Sequence, residues 1–301
     1  MAAVVNVNGR ISDDRHAVVS VFDHGFLYGE GVYETLRTYA GRPFLLERHL
    51  HRLRASARMI NLSVPLTDEE FAGRIDGTTS AAARSMPSTQ PEWYVRLLLT
   101  RGVGDLTYDP GACPTPSIVI IVKPQVDPPA HVFEKGVRVV FASVIRNHPG
   151  SVNPLIKSNN LLNNALAMQE ALRAGAYEAV MRNYRGELSE CTQSSLFIVK
   201  SGAALTPPLD AGLLAGITRE FVFEVGQDEN VPVREAVLHD RDLYEADEAF
   251  LTSSTRELVP IVQVGDHVIA TGLPGRVTGQ LLEGFRKKAK ALAQSAPAAR
   301  A

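Results

Sequence analysis

Cysteine is nearly absent: Cys113 and Cys191 are the only two in 301 residues, far apart and without CxxC or zinc-ligand spacing. A disulfide framework is excluded, no metal site is expected, and two free thiols fit a reducing, cytoplasmic setting. Charge of either sign is not in surplus. Lys+Arg number 31 against 33 Asp+Glu, a formal net charge of −2, which leaves no basic excess to neutralise the phosphates of a nucleic acid. No run approaches the roughly 18 uninterrupted apolar residues of a membrane span. The opening MAAVVNVNGRISDDR lacks the basic start and long apolar core of a signal peptide. Internal repeats and low-complexity blocks are missing. So are the serine-hydrolase elbow, the P-loop, the zinc-protease helix and the dinucleotide fingerprint.

What is present is a globular composition, 45% hydrophobic and 21% charged, in a chain long enough to bury a core unaided. Val4–Val7 and Val18–Phe22 read as strands, with the turn residues Asn8-Gly9 between them. Leu46, Leu50, Leu53, Ala57 and Ile60 recur at helical spacing, which predicts a helix over 46–60. Thr67-Asp-Glu-Glu70 is a capping box opening another toward Ser80. Ser85–Pro91 reads as a polar loop, and Trp93–Leu99 and Ser117–Val122 as strands. The proline-rich stretch Lys123–Pro129 predicts a linker, so the division expected is a small α/β N-terminal domain over 1–122, a linker over 123–134 and a larger domain over 135–301. In the larger part, strands are expected at Val137–Ile145, Tyr177–Arg182 and Ser195–Lys200. Helices are expected at Asn160–Ala174, from about Thr218, and at Thr278–Leu292, before a frayed tail. Strands mixed with helices without strict alternation predict an α+β fold in two lobes.

Four stretches carry residues suited to chemistry. Lys157, flanked by Leu155 and Ile156 at the mouth of a helix, is a candidate for desolvation, which lowers an amine's pKa and frees it to attack a carbonyl. Gly216-Ile217-Thr218 opens a helix whose first N–H groups form an anion site suited to phosphate. Glu187 and Glu190 precede a strand, where a carboxylate can meet a protonated ring nitrogen. Thr252-Ser-Ser-Thr255-Arg256 is a hydroxyl-rich turn at a strand end. Each has a plain alternative: a solvated lysine, an N-cap threonine, a loop charge, ordinary turn chemistry. His49 and His51, two apart on a helix, point away from each other and read as surface or packing residues.

A reactive lysine, an acid, a phosphate-binding helix start and a hydroxyl turn are the parts a pyridoxal phosphate site needs. In that order, and with DHGFLYGEGVYE (23–34), ERHLHRLRASA (47–57), YVRLLLTRGVGD (94–105), IKSNNLLNNALAMQEA (156–171), GELSECTQSSLFIVK (186–200), LLAGITRE (213–220) and DEAFLTSSTRELVPI (247–261), the chain resembles the fold-type IV pyridoxal-phosphate aminotransferases. That class holds branched-chain and D-amino acid aminotransferases and aminodeoxychorismate lyase. The resemblance implies pyridoxal 5′-phosphate as cofactor, a pseudo-barrel sheet in the larger lobe, and a homodimer or higher homo-oligomer. It makes Lys157 the lysine that holds the cofactor as a Schiff base and shuttles the proton. Glu190 becomes the partner of the pyridine nitrogen and Arg52, in its H-x-x-R segment, the phosphate grip. Ile217, Thr218 and Ser254 add phosphate contacts, and Leu214 packs on the ring. The implied reaction is ping-pong transfer of an amino group from an amino acid to a 2-oxo acid.

The resemblance divides over substrate. Tyr94-Val-Arg96 and Thr100-Arg-Gly-Val-Gly-Asp resemble branched-chain enzymes, and the R-x-H carboxylate trap of D-enzymes is replaced by Leu106, Thr107 and Tyr108. Val32-Tyr-Glu-Thr35, however, resembles the VYE of D-enzymes. Leu161 stands for a tyrosine, Ser195 for an asparagine, and Arg256 for a small residue of the turn expected to meet the substrate carboxylate. The substrate residues expected are Tyr28, Tyr33, Tyr94, Arg96, Arg101, Thr255 and Arg256. Transfer from leucine, isoleucine or valine to an acceptor such as 2-oxoglutarate is the first expectation. A D-amino acid or (R)-amine transaminase, an aminodeoxychorismate lyase and a non-catalytic cofactor-binding scaffold are the alternatives.

Overall fold

A computed structural model describes residues 3–86 and 92–295. Residues 87–91 of the polar loop expected at Ser85–Pro91, and the tail past 295, lie outside the described residues. The structure is α+β, and the chain divides into two units. One is built on the chain up to Val126, the segment Ile156–Asn160 and the end of the last helix; the other on Asp127–Leu155 and Leu161–Leu292. The return of Ile156–Asn160 to the first unit is a feature that a division at 123–134 does not contain.

The first unit is a six-stranded sheet in the order Arg10–Asp13, Val4–Val7, Ser117–Pro124, Trp93–Thr100, Gly31–Tyr39, Arg42–Pro43. Side chains alternate across it. Val95, Leu97, Leu99, Ile118, Ile120 and Val122 enter a core shared with Leu50, Leu53 and Ala57 of helix Leu46–Met59 and with Phe71 and Ile75 of helix Asp68–Ser85. The capping box forms as the sequence requires: Glu70 N–H donates to Thr67 Oγ1 at 3.2 Å and Thr67 N–H to Glu70 Oε2 at 2.7 Å.

The sequence misplaces one strand here and misses another. Val18–Phe22 is not a strand; Val18 is 74% exposed. Asn8 and Gly9, with φ of 51° and 94°, make a two-residue hairpin turn, so the partner of Val4–Val7 begins at once, at Arg10. The missed strand is Gly31–Tyr39. Its buried side includes Glu34 and Thr38, and these polar residues hide the alternation by which a strand is recognised.

The second unit holds a nine-stranded sheet. From Ser195–Lys200 it passes through Glu248–Ser253, Glu257–Val264, Val137–Phe141 and Glu178–Arg182 to Leu188–Cys191. Leu188–Cys191 packs in turn against Ser195–Lys200, so the sheet curls upon itself around Val139, Val180, Leu196, Leu251 and Val259. Beyond Ser195–Lys200 lie Ala203–Thr206 and Val233–Glu235, and His267–Val268 pairs with Glu257–Val264. Helices Leu162–Arg173, Ile217–Asp228 and Arg276–Ser295 complete the unit. The strand expected over 137–145 ends at Phe141. No described helix is long and apolar enough to cross a membrane.

Phe71 is fully buried in the first unit's core. Phe71→Ala is expected to destabilise that unit by about 3–5 kcal/mol, the cost of a large core cavity, read as a lower denaturation midpoint with an unchanged slope.

Candidate active site

In the first unit, Gly31–Tyr39 and Trp93–Thr100 place Tyr33, Thr35, Tyr94 and Arg96 on one half-buried face, because Thr35 stands opposite Arg96 and Tyr33 opposite Leu98. The Lys157 segment lies along this pair like a short extra strand. Tyr33 N–H donates to the Lys157 carbonyl and Asn159 N–H to the Gly31 carbonyl, both at 2.9 Å, and Lys157 N–H donates to Ser56 Oγ at 3.1 Å. Gly31 permits the approach: a Cβ there would fall 2.5 Å from Asn159 Nδ2 and 2.8 Å from the Leu99 carbonyl oxygen. Lys157 Nζ lies 4.5 Å from the centre of the Tyr33 ring, and the Arg96 guanidinium 4.2 Å from the same ring. One aromatic face system therefore steadies two cations.

Glu34, on the opposite side of the strand, is fully buried and faces helix Leu46–Met59. Arg52 donates from Nε to Oε1 at 2.7 Å and from Nη2 to Oε2 at 2.8 Å, and His49 Nδ1 donates to Oε2 at 2.7 Å. Burial alone would raise the Glu34 carboxyl, but the charge and hydrogen bonds of Arg52 and His49 override it and hold the group well below the ordinary carboxylate range. Burial pushes the His49 imidazole below its ordinary value, only partly opposed by Glu34, while Arg52 and Lys157 push it further down. His49 is thus a buried ligand of Glu34 and not the surface or packing residue expected. The signal available was its spacing from Arg52: three apart on a helix, the two share a face.

Tyr28 caps the end of the short helix His24–Leu27, edge-on to His24 and 5.1 Å from the Tyr108 ring. His24 reaches Glu30 through Nδ1 at 3.1 Å and the Asp105 carbonyl through Nε2 at 2.9 Å. Arg101 is occupied. It donates from Nε to Glu30 Oε2 at 3.0 Å, from Nη2 to the Ile60 carbonyl at 2.8 Å and from Nη1 to that of Asn61 at 3.3 Å. The resemblance offered it as a substrate arginine; here it closes the end of helix Leu46–Met59.

In the second unit, Glu190 is buried at the end of strand Leu188–Cys191. Arg146 Nε donates to its Oε1 at 2.7 Å, and Leu214 N–H to its Oε2 at 3.2 Å. Arg146 also donates from Nη1 to Asn163 Oδ1 at 3.2 Å. Nothing in the sequence marks Arg146, which follows a strand end far from Glu190 along the chain. Helix Ile217–Asp228 starts at Gly216 with no side-chain cap. Its first ladder bond runs from Glu220 N–H to the Gly216 carbonyl, so the N–H groups of Ile217 and Thr218 precede the ladder. Thr218 Oγ1 lies 3.5 Å from Ser254 Oγ. Ser195 Oγ would meet a Cβ on Gly216 at 2.7 Å, and opposite Ser195 stands Thr252, whose buried hydroxyl has no hydrogen-bond partner among the described residues. An ion-paired carboxylate beside Leu214, an uncapped helix start and a cluster of hydroxyls suit an aromatic ring nitrogen and a phosphate, so these residues fit the cofactor that the sequence implies.

Thr255 and Arg256 share the turn with Ser254. Arg256 neither points to solvent nor presents itself for a second carboxylate: Nη2 pairs with the buried Glu178 Oε1 at 2.7 Å, and Nε donates to Ser253 Oγ at 3.1 Å. The buried acid takes up the charge, a partner 78 residues from Arg256 that no local motif reveals.

Comparison with known proteins places the chain among characterised relatives. Residues 31–264 match the family described as amino-transferase class IV. A protein of Methanocaldococcus jannaschii, whose name assigns it to the branched-chain-amino-acid aminotransferases, is 39% identical over 94% of this chain and 95% of its own length. A D-alanine aminotransferase of Listeria innocua is 34% identical over 92% and 93%, and an aminodeoxychorismate lyase of Bacillus subtilis 31% identical over 95% of both. Among solved structures, the branched-chain aminotransferase of Thermoproteus uzoniensis with norvaline superposes with a TM-score of 0.87 at 30% identity, covering 97% of this chain and 96% of that one. That of Thermobaculum terrenum in its PLP form gives 0.83 at 26% identity over 96% and 94%. The architecture is fold-type IV.

Because His49 is held neutral in the fold, acidification through its ordinary value of 6.5 protonates the unfolded chain before the folded one, and stability falls with pH there. Glu34, with its pKa depressed, contributes stability that is lost progressively as pH falls from the ordinary carboxylate range downward, well below the His49 window. Unfolding midpoints measured between pH 7.5 and 5 are expected to fall less steeply in His49→Asn than in the parent, by up to about 1 kcal/mol per pH unit.

Proposed function

The chain belongs to the amino-transferase class IV family and is a pyridoxal-phosphate-dependent aminotransferase, and on that premise we propose that it moves the amino group of leucine, isoleucine or valine to 2-oxoglutarate. One observation carries this choice. Of the three arginines expected to meet substrate, Arg101 and Arg256 are committed to Glu30 and Glu178, while Arg96 makes no ion pair among the described residues. A half-buried guanidinium set among Tyr33, Tyr94 and aliphatic neighbours takes either a second carboxylate, as 2-oxoglutarate has, or lets a branched side chain pack along its stem.

Pyridoxal phosphate, when bound, withdraws electrons from the substrate Cα. Lys157 would hold it through Nζ, and the same amine would take the substrate Cα proton as a general base and return it as a general acid. Tyr33 keeps the amine in place. Glu190, paired with Arg146, would meet the ring nitrogen, and Leu214 would cover the ring. Ile217 and Thr218 N–H groups with the Thr218 and Ser254 hydroxyls bind the phosphate. Arg52 adds direction more than net charge, because Glu34 neutralises it. Thr255, Tyr28 and Tyr94 border the substrate.

One feature favours a second reading, transfer from a D-amino acid or (R)-amine: Tyr33 within Val-Tyr-Glu. Lyase action on aminodeoxychorismate would release pyruvate with no amino acceptor present. We also assign a homodimer and a cytoplasmic location. Support for the dimer comes from an apolar strip in the first unit, Val18, Val19, Val21, Phe22 and Phe26 with Leu106 and Tyr108, all exposed. Exposed large apolar residues grouped along one segment mark association surfaces. The free Cys113 and Cys191 support the location.

The visible band of the protein-bound cofactor is expected to fade with L-leucine and to persist with D-alanine; the reverse would replace the branched-chain reading with the second one. Lys157→Ala is expected to lose that band and more than about a hundredfold in turnover. Arg96→Met is expected to raise KM for 2-oxoglutarate far more than for leucine. For the assembly, Phe26→Asp is expected to shift the protein toward a monomer in size-exclusion chromatography with light scattering.

A further inference from the structure

Glu178 opens strand Glu178–Arg182 and is fully buried. Its Oε2 accepts from Thr192 Oγ1 at 2.8 Å and Gln193 N–H at 2.9 Å, and its Oε1 from Ser194 Oγ at 2.8 Å and Arg256 Nη2 at 2.7 Å. Among the described residues both oxygens are therefore filled by two short segments. The first, 192–194, follows Glu190 and leads into Ser195. The second is the turn that carries Ser254 and Thr255, and Arg256 grips it a second time through Ser253 Oγ. The Arg256 guanidinium also lies 5.5 Å from the Tyr177 ring centre, beside the start of the same strand. Burial opposes the arginine's charge, yet the Glu178 carboxylate and Tyr177 raise its pKa. The pair is thus a fixed ionic clasp.

We propose that Glu178 and Arg256 are a positioning pair, which touches neither cofactor nor substrate but sets where Ser254 and Thr255 stand relative to Thr218 and to the Glu190 strand. The inference rests on the functional reading above, in which Ser254 and Thr218 bind the phosphate. Ser254 meets Thr218 at 3.5 Å, the outer limit of a hydrogen bond. A small displacement of the turn therefore separates the two hydroxyls. Without the clasp the turn keeps the Glu257–Arg286 pair at its far end but loses the charged tie to the 192–194 segment, while the Leu214 and Glu190 contacts to the ring stay in place. The expected damage falls on recognition of the phosphate and substrate, and not on recognition of the ring.

The test compares two ligands on the apo-protein, pyridoxal phosphate and pyridoxal, which lacks the phosphate, by fluorescence titration. Arg256→Ala leaves Glu178 buried and unpaired, so the double variant Glu178→Gln/Arg256→Met, which removes both charges, is measured beside it. In the double variant pyridoxal phosphate is expected to bind about tenfold more weakly, the scale of one lost hydrogen-bonded contact, while pyridoxal affinity stays within about twofold. KM for the amino donor is expected to rise by a similar factor, with kcat changed much less. Arg256→Lys, which keeps a charge for Glu178 but cannot also reach Ser253, is expected to recover part of the loss. Equal affinity of parent and double variant for pyridoxal phosphate would overturn the proposal, as would parallel weakening of both ligands. A parent protein that binds neither ligand would overturn the functional reading beneath it, so the two failures are told apart.

Discussion

A carboxylate inside an apolar layer must be neutralised where it stands, and Glu34 imposes that constraint on the first unit. It lies on the core side of strand Gly31–Tyr39, between the buried Val32 and Leu36. Removing a partner from such a group costs about 3–5 kcal/mol. Helix Leu46–Met59 must therefore dock with His49 and Arg52 turned inward, and that same rotation brings Ser56 to the Lys157 N–H. One charge thus fixes the angle of a helix, and the helix fixes the segment that holds the reactive amine. The apolar contacts of Leu50, Leu53 and Ala57 supply adhesion; they would tolerate small rotations that the carboxylate does not.

The second unit repeats the principle with different partners. Glu190 is held between an arginine and a backbone N–H, and Glu178 among two hydroxyls, an N–H and an arginine. In each case the acid gathers loops that carry the chemistry, while the curled sheet behind them provides a rigid and largely apolar support. The separation is economical for an enzyme: strands can exchange one aliphatic residue for another, whereas the loops answer to hydrogen bonds of fixed length and direction.

How much of this is legible in the sequence depends on the range of each interaction. Helix Leu46–Met59, the Thr67 capping box and strand Ser195–Lys200 rest on neighbours a few residues apart, and periodicity finds them. The lysine, the acid and the uncapped helix start are legible as motifs because their order along the chain resembles a known family. What escapes is whatever depends on a distant partner. Arg101 and Arg256 look alike as motif residues, and only the positions of Glu30 and Glu178 show that both are spoken for while Arg96 is not. Gly31–Tyr39 escapes for a related reason, since Glu34 finds its partners on helix Leu46–Met59 and Thr38 finds its partner in Glu92, both far along the chain. Val18–Phe22 misleads in the opposite sense: its residues have strand-like character, but the tight Asn8-Gly9 hairpin had already supplied the neighbouring strand.

The return of Ile156–Asn160 to the first unit bears on the order in which the molecule is made. The Tyr33 amide awaits a carbonyl that belongs to Lys157, and closing so long a loop is slow and entropically costly. During synthesis the sheet's six strands are complete well before the lysine leaves the ribosome. The scaffold therefore exists first and the amine arrives into it. An immature chain accordingly presents aldehydes with a shaped surface but no docked nucleophile, and chemical competence appears only when the strands of the second unit are already being translated.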